Sequence, residues 1–193
     1  MLKKLIGQKC YLATIDESHA EEVAAWSNDL EMSLRTGDVS LAINLDKQKE
    51  YLGYMNSDNA YGFYIVDKST DEAIGVARLM RIDFVLGTAV LGMFIGKQKN
   101  RAKGMGTDAA HLIIDYAFNV LNLRNIMVEI ASFNEASLAL CRKCGFKEIG
   151  RRRKAIRFGN KLFDEVYMDI LREEFHGSQI EETLEKILDN KRS

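Results

Sequence analysis

The sequence predicts one α+β domain, and three observations indicate this fold class. The first half of the chain contains several strand patterns in succession, instead of strands that alternate with helices. A glycine-containing loop at residues 101–107 then joins an apolar strand directly to an amphipathic helix. No internal repeat, low-complexity tract or linker divides the 193 residues. We therefore expect a single domain at residues 1–172 and an amphipathic helical tail at residues 173–193.

Composition excludes several classes of protein. Apolar residues make up 47% of the chain and charged residues 28%, as in ordinary soluble domains. A net charge of −1 gives no general attraction to nucleic acid or to anionic membranes. No apolar run approaches the roughly 20 residues that span a bilayer, and the N-terminus lacks the apolar core of a secretory signal. Three cysteines do not suggest a disulfide framework, so we expect a cytoplasmic protein that binds neither membrane nor nucleic acid.

The N-terminal segment predicts one strand and two helices. Residues 9–15 have a strand pattern. Ser18 is a candidate N-cap, with Glu21 at the capping-box position, for a helix that runs toward Trp26. A second helix is expected at residues 46–55, after a polar linker around residues 36–38.

The central segment predicts a hairpin and then the strand that leads into the glycine loop. Residues 61–66 and 73–82 are strand patterns joined by a loop rich in turn formers. Residues 88–95 form the apolar run before the loop. The helix after the loop has an apolar face that should pack on a sheet, made of Ala110, Ile113, Ile114, Ala117 and Leu121.

The C-terminal segment predicts three strands and a short helix. Residues 126–131 form a strand, and the helix that follows should end with Gly145 at its C′ position. The last two strands are expected at residues 146–150 and 161–171. The acidic tail beyond them could be a packed helix or a homodimer contact.

The glycine loop is a candidate anion site. Where a strand ends in a short loop that opens into a helix, unpaired N–H groups of the first helical turn point outward, and the helix dipole adds positive potential. Glycines at 104 and 106 lack a Cβ atom, so a diphosphate can approach the backbone. Arg101 and Lys103 add positive charge. This arrangement predicts a phosphate-bearing cofactor.

Three loop patterns compete for this segment. The P-loop pattern is absent, because no Lys-Ser or Lys-Thr follows a suitably spaced glycine. Residues 104–109 satisfy a loose dinucleotide-binding fingerprint, but that fingerprint belongs to a repeated strand-helix-strand array. The third pattern has Arg or Gln, two residues, Gly, one residue, and Gly or Ala, which Arg101, Gly104 and Gly106 satisfy. It resembles the acyl-coenzyme A loop of the GNAT acyltransferase superfamily.

A second motif supports this resemblance. Residues 134–146 begin with Asn134 and end with Gly-Phe, which is similar to the helix after the coenzyme A loop in GNAT enzymes. Residues 115–124 and 26–31 resemble the branch that contains ribosomal-protein N-terminal acetyltransferases and spermidine acetyltransferases. The resemblance spans residues 8–171 in the expected order.

The resemblance implies a fold and a reaction. The fold is a mixed, mostly antiparallel sheet of about seven strands, splayed apart at the cofactor site, with about four flanking helices besides the C-terminal helix. The reaction is transfer of an acetyl group from acetyl-coenzyme A to an amine by direct attack in a ternary complex. The acceptor is a protein N-terminus, a polyamine or another small amine.

The resemblance also implies cofactor-binding residues. The backbone of Ile95, or alternatively of Phe94, would polarise the acyl carbonyl, and Asn134 would contact the pantetheine arm. Equally, Asn134 could simply cap a helix, and residues 93–95 could be ordinary core. The full set comprises Met93, Phe94 and Ile95, the loop residues Arg101, Ala102, Lys103, Gly104, Met105, Gly106 and Thr107, and Asn134, Ala136, Ser137 and Arg142.

Two positions depart from the family pattern. Cys141 stands where many relatives have a tyrosine that protonates the leaving thiolate, and Val90 stands where a glutamate is common. Cys141 is therefore our candidate catalytic acid, and a buried helix residue is the alternative. No side chain is assigned as the base: either water relayed through backbone carbonyls takes the proton, or tight positioning of the amine in a dry pocket suffices. The departures also motivate a second hypothesis, a catalytically degenerate sensor that binds coenzyme A. We assign no metal, because Cys141 and Cys144 form one isolated pair.

Acceptor recognition is assigned to the N-terminal helices. The resemblance implies that residues 26–54, with Trp26 among them, wall the acceptor cleft. Within this region Asp29, Glu31 and Asp38 would attract a cationic amine. The alternative is that these are solvated charges at helix ends. The basic run at residues 151–154 is expected on a surface hairpin closed by Gly159 and Asn160, or as a group that steers an acidic acceptor or binds the nucleotide phosphate of the cofactor.

Overall fold

The part of the chain that the structure describes folds into one eight-stranded sheet with helices on both faces. The structure, a computed structural model, describes residues 1–37, 42–55, 57 and 59–189. The strand order is β1-β2-β3-β4-β5-β6-β8-β7, and every neighbouring pair is antiparallel except β5 and β6. The strands are β1 (Lys3–Ile6), β2 (Cys10–Thr14), β3 (Tyr61–Asp67), β4 (Ala73–Asp83), β5 (Thr88–Ile95), β6 (Asn125–Ala131), β7 (Lys147–Phe158) and β8 (Lys161–Leu171).

Helices cover the two faces of the sheet unequally. Alternation along β5 sends Ala89 and Leu91 into the larger core, which packs under α4, and Phe94 toward the smaller core under α1 and α3. The expected α+β class is confirmed. The helices are α1 (Ala20–Asn28), α2 (Leu30–Thr36), α3 (Leu45–Tyr54), α4 (Met105–Asn119), α5 (Glu135–Lys143) and α6 (Gln179–Asp189).

Several element boundaries differ from the sequence prediction. The four-residue strand β1 and the seven-residue helix α2 were not predicted, because segments this short carry little periodicity. Ser18 is not the N-cap of α1: Asp16 caps a 3₁₀ turn at Glu17–His19, and α1 follows it. Strand β7 runs to Phe158, so the basic run lies within a strand rather than in a loop.

The C-terminal tail is a helix docked on α4. The carboxylate of Asp115, which is 1% exposed, accepts hydrogen bonds from Ser178 Oγ at 2.6 Å and from the backbone N–H of Gln179 at 2.8 Å. Phe175 packs its ring against His111 and Phe118. A buried carboxylate on one helix therefore caps the start of another, which favours a packed tail. The boundary at residue 172 stays a prediction. Within the described ranges, no helix is both long and apolar enough to cross a bilayer.

A buried glutamine offers a test of the smaller core. Gln48 on α3 is 0% exposed, and among the described residues neither its Oε1 nor its Nε2 atom finds a hydrogen-bond partner. Because an unpaired buried amide is costly, we expect Gln48→Met to raise the free energy of unfolding by about 1–2 kcal/mol in urea titrations. Gln98→Met, at an exposed position, should change it by less than about 0.5 kcal/mol. A destabilised Gln48→Met variant would mean that the amide binds an ordered water instead.

Candidate cofactor and acceptor site

The sheet splays apart between β5 and β6. Their parallel pairing covers only Thr88–Val90 opposite Asn125–Met127, although both strands continue beyond these residues. The expected splay is confirmed. Past Val90 and Met127 a gap opens toward the glycine loop, and its two edges are the C-terminal halves of β5 and β6.

The backbone of β5 offers hydrogen-bond donors to this gap. Gly96 donates its N–H to Ile74 of β4 at 2.8 Å. In an antiparallel ladder, successive residues point their backbone N–H groups to opposite sides of the strand. The N–H of Phe94 therefore points to β4, like that of Gly96, whereas the N–H groups of Met93 and Ile95 point into the gap. Of the two residues considered for carbonyl polarisation, this alternation favours Ile95; its role stays a prediction.

The N-terminus of α4 is open to an anion. Gly104 is the N-cap, with a φ of 82°, and no side chain in the described part of the chain caps the helix. No hydrogen bond from the described residues reaches the N–H groups of Met105, Gly106 or Thr107. Positive φ at Gly104 and at Ala102 (59°) curls the loop so that these groups point outward. A diphosphate would find three free donors and the positive end of a 15-residue helix here.

Helix α5 begins just after β6 and borders the far end of the gap. Asn134 caps α5 by accepting the N–H of Ser137 at 3.3 Å, and its Nδ2 donates to the carbonyl of Arg35 on α2 at 3.1 Å. The capping alternative for Asn134 is therefore observed, while contact with pantetheine stays a prediction. A Cβ on Gly106 would lie 2.9 Å from Leu140 Cδ1, so α5 approaches the first turn of α4 closely.

Side chains around the loop are mostly engaged in holding it. Arg101 Nε donates to the carbonyl of Ile95 at 3.1 Å, and its Nη1 pairs with Glu31 at 3.4 Å. Lys9 Nζ donates to the carbonyl of Lys103 at 2.7 Å. Lys9 thus joins Arg101 and Lys103 as a third cation at the loop. No pattern in the sequence reveals Lys9 as a partner of the loop, because it lies 94 residues from Lys103 along the chain.

Asp108, in the first turn of α4, ties the loop to the N-terminal hairpin. Its carboxylate accepts backbone N–H groups from Gln8, Lys9 and Cys10 at 3.2, 2.7 and 3.0 Å. A Cβ on Gly7 would lie 2.5 Å from this carboxylate, so the turn needs glycine there. Burial alone would raise the pKa of Asp108, but these hydrogen bonds outweigh burial and hold the pKa below its ordinary value.

Cys141 lies in the larger core rather than on an open surface. The residue is 7% exposed and belongs to the same cluster as Leu138 and Phe146. Burial, with a smaller contribution from Cys144, raises the pKa of Cys141 to about 12, so it is a protonated thiol at neutral pH. Cys141 and Cys144 are free thiols, and the described residues contain no cluster of three side chains suited to a metal ion.

A cleft of about 460 Å³ opens on the face of the sheet opposite α4. It lies between the N-terminal helices and strands β4–β6, beside the point where the gap begins. Arg81 pairs with Glu129 at 2.5 Å across β5, and Arg78 contacts the hydroxyl of Tyr51. The lining residues are Val23, Ser27, Met32, Thr36, Ile43, Tyr51, Met55, Val76, Arg78, Met80, Arg81, Val90, Leu91, Gly92, Phe94 and Glu129.

The three residues assigned to the acceptor do not line this cleft. Trp26 packs edge-on against Phe94, and a Cβ on Gly96 would overlap its ring. Asp29 caps α2 by accepting the N–H of Met32 at 2.8 Å, and Glu31 pairs with Arg35 and with the loop. Both acids thus match the alternative given above, charges at the ends of helices. Their role in binding the acceptor stays a prediction. Asp38 lies outside the described residues.

The basic run has local partners. Arg151 pairs with Glu148 at 2.6 Å and Arg152 with Glu165 at 3.8 Å. The predicted surface hairpin closed by Gly159 is confirmed, because Phe158 pairs with the first residue of β8. These contacts favour the interpretation that the basic residues lie on the surface of the hairpin and pair with nearby acids. They do not favour a binding site for the nucleotide phosphate of the cofactor.

Comparison with known proteins decides the family. Residues 9–147 match the family model described as an acetyltransferase (GNAT) domain. The chain belongs to the GNAT acetyltransferase family. This confirms the predicted resemblance and the acetyltransferase class, and it excludes the dinucleotide-binding interpretation of the loop.

Individual relatives agree with the GNAT assignment. A probable N-acetyltransferase of Bacillus subtilis, YjcK, is 29% identical over 86% of this chain and 96% of its own. A spermidine N(1)-acetyltransferase of Vibrio cholerae is 25% identical over 68% of this chain and 76% of its own. A solved spermidine N-acetyltransferase of Vibrio cholerae, in complex with CoA and spermine, superposes with a TM-score of 0.78 at 20% identity, covering 86% of this chain and 97% of that one. At that identity the superposition supports the fold alone.

Proposed function

We propose that this GNAT protein transfers an acetyl group from acetyl-coenzyme A to a primary amine by direct attack in a ternary complex. The observation that carries the proposal is the open N-terminus of α4 at one end of a gap whose other end borders a cleft. A diphosphate-bearing donor and an amine acceptor would therefore meet from opposite sides of the splayed sheet.

The residues present fit coenzyme A. The N–H groups of residues 105–107 suit its pyrophosphate, and the gap-facing edge of β5 at Met93 and Ile95 suits the peptide-like pantetheine arm. When bound, acetyl-coenzyme A supplies the thioester carbonyl that the amine attacks. In support, the solved structure of the microcin C7 self immunity acetyltransferase MccE, in complex with acetyl-CoA and AMP, superposes with a TM-score of 0.73.

We propose an amine as the acceptor for two reasons, the names of the relatives and the presence of the cleft. Those relatives include a spermidine acetyltransferase and a putative ribosomal N-acetyltransferase, YdaF. Protein N-termini, polyamines and small amines therefore all belong in the test set. The free thiols suit a reducing compartment, so the proposal places the protein in the cytoplasm.

The test combines a binding measurement with an acceptor screen. Titration calorimetry should show saturable binding of acetyl-coenzyme A, and thiol release should appear with at least one amine among N-terminal peptides, spermidine, spermine and small amino compounds. Binding without turnover on any amine would instead support the sensor hypothesis, which the departures at Val90 and Cys141 motivate. If acetyl-coenzyme A does not bind, both the acetyltransferase proposal and the sensor hypothesis are wrong.

Cys141 is proposed as the group that returns a proton to the leaving thiolate. A protonated thiol on α5 can do so even with a raised pKa, although less readily than a tyrosine at the same position. We expect Cys141→Ala to lower kcat about tenfold while the Kd of acetyl-coenzyme A stays within twofold. Cys144→Ala is the matched control, because this neighbouring thiol also has a raised pKa, about 11, and should leave kcat unchanged. An unchanged kcat in Cys141→Ala would remove Cys141 from the mechanism.

A further inference from the structure

We propose that Arg78 is a specificity-determining residue, which binds a carboxylate that the acceptor carries a few bonds from its amine. The acceptor would then be an amino acid, or a peptide whose first residue is acidic, rather than a polyamine. The inference rests on the proposed function and names the class of amine that the cleft selects.

Strand alternation places Arg78 on the floor of the cleft. Its neighbours Ala77 and Leu79 enter the larger core under α4, so the side chain of Arg78 points to the opposite face of β4, where it lines the cleft. Its cross-strand partner is Gly92 on β5. A Cβ on Gly92 would lie 2.9 Å from Arg78 Nε, so glycine at this position leaves room for the arginine side chain over β5.

This location is close to the predicted site of acyl transfer. Gly92 follows Val90, the last residue of β5 that pairs with β6. It precedes Met93 and Ile95, whose N–H groups point into the gap. Neighbouring strands lie roughly 5 Å apart, so an anion bound at Arg78 is about one strand spacing from the edge of the gap. The amine of the same small molecule can therefore reach the thioester while its carboxylate stays on Arg78.

Contacts with α3 hold the guanidinium in place. Arg78 Nη1 donates a hydrogen bond to the hydroxyl of Tyr51, and Arg78 Cζ lies 5.5 Å from the centroid of that ring. A guanidinium has five N–H donors in a rigid fork, enough to keep such contacts and also to bind a carboxylate with two parallel hydrogen bonds. Because the side chain is already fixed, binding the ligand costs less conformational entropy.

The charge of the cleft favours a carboxylate over a polyamine. Among the described lining residues, the charged side chains are Arg78, Arg81 and Glu129, and Glu129 already pairs with Arg81. A polyamine carries several ammonium groups, each of which needs an acidic or polar partner when it leaves water. A phosphate dianion would need a second cation, whereas one arginine suffices for a carboxylate. The rest of the described lining is mostly apolar and contains three methionines, which adapt to acceptor side chains of different shape.

The test measures kcat/KM for two pairs of acceptors that differ in one carboxylate. Leucine and leucinamide represent a free amino acid, and two peptide amides that begin with aspartate or asparagine represent a protein N-terminus. In Arg78→Gln we expect kcat/KM to fall about 30-fold for the carboxylate member of one pair, and less than about threefold for its partner. Dividing variant by wild type cancels intrinsic differences between the two amines, and the affected pair identifies the source of the carboxylate.

Two further variants separate recognition from folding. Arg78→Lys keeps the charge but loses the planar fork, so kcat/KM for the carboxylate member should fall only about fivefold. If Arg78→Gln does not fold, Arg78→Lys provides the same comparison between the members of a pair. Arg124→Gln removes an exposed arginine outside the lining of the cleft and should leave both members unchanged. Melting temperatures of all variants check folding.

The possible outcomes distinguish the role of Arg78 from the proposed function. If Arg78 only stabilises the fold, its substitution should lower kcat/KM equally for both members of each pair. Such equal losses, an unchanged kcat/KM, or a wild type that prefers spermidine to all four acceptors would overturn the role of Arg78. A wild type without turnover on any amine would instead refute the proposed function itself.

Discussion

Gly104→Val should weaken binding of acetyl-coenzyme A at least 100-fold, or about 2.7 kcal/mol. Gly104 has a φ of 82°, which a β-branched residue adopts only with strain, so the loop would relax and turn the free N–H groups of the first turn of α4 away. The new side chain would also stand beside the Lys9 ammonium, since a Cβ at this position would lie 2.9 Å from Lys9 Nζ. Titration calorimetry with acetyl-coenzyme A measures the effect.

A second glycine isolates binding from backbone strain. Gly159, in the turn between β7 and β8, also has a positive φ, 57°, and open space around it. Gly159→Val should therefore cost stability without changing the cofactor affinity. Affinity within threefold of wild type in Gly104→Val would show that the phosphates bind elsewhere.

Asp108→Ala should lower the free energy of unfolding by about 3 kcal/mol. Three backbone N–H groups of the β1–β2 turn would lose their charged acceptor at once, and charge-assisted bonds of this kind are among the stronger ones. Urea titration measures the loss. Asp83→Ala is the matched control, because Asp83 accepts two N–H groups at an exposed hairpin tip and should cost about 1 kcal/mol or less.

At low pH, Asp108 should no longer contribute to the free energy of unfolding. Its pKa is lower in the folded protein than in the unfolded chain, so the stability it provides is fully present above the unfolded pKa of about 3.9. That stability disappears as the pH falls from about 4 through the lower folded pKa, because the protonated group loses its charge. The difference between wild type and Asp108→Ala should therefore shrink below about pH 4. A difference that stays constant down to pH 2 would contradict the ionised-acceptor account.

Local signals predicted the elements that hold the cofactor loop. Strand β5 was predicted with the bounds that it has, because a buried central strand is a continuous apolar run. The helix after residue 134 ends at Lys143, and Gly145 occupies the expected C′ position with a φ of 95°, the left-handed turn. Strand β1 and helix α2 escaped prediction because short elements are stabilised mainly by what they pack against, namely β2 for the strand and α1 for the helix.

The side chains that complete the site were harder to find. Asp108 and Lys9 contact partners 94 to 100 residues away, so no spacing in the sequence relates them. Glu129 faces the cleft only because β6 pairs with β5 in one register, and a shift of one residue would turn it into the core. Trp26, Asp29 and Glu31 were placed near the acceptor by resemblance, whereas the structure gives them packing, capping and ion-pair partners.

By itself, the sequence determined the fold class and predicted an anion-binding loop, because glycine positions and apolar periodicity act over a few neighbouring residues, and its motifs established the resemblance to the GNAT family. Only the tertiary structure decided where β5 and β6 separate, which N–H groups face the gap, and which carboxylate lies beside it. Those features depend on strand register and on contacts between distant segments, which are established when the whole sheet assembles.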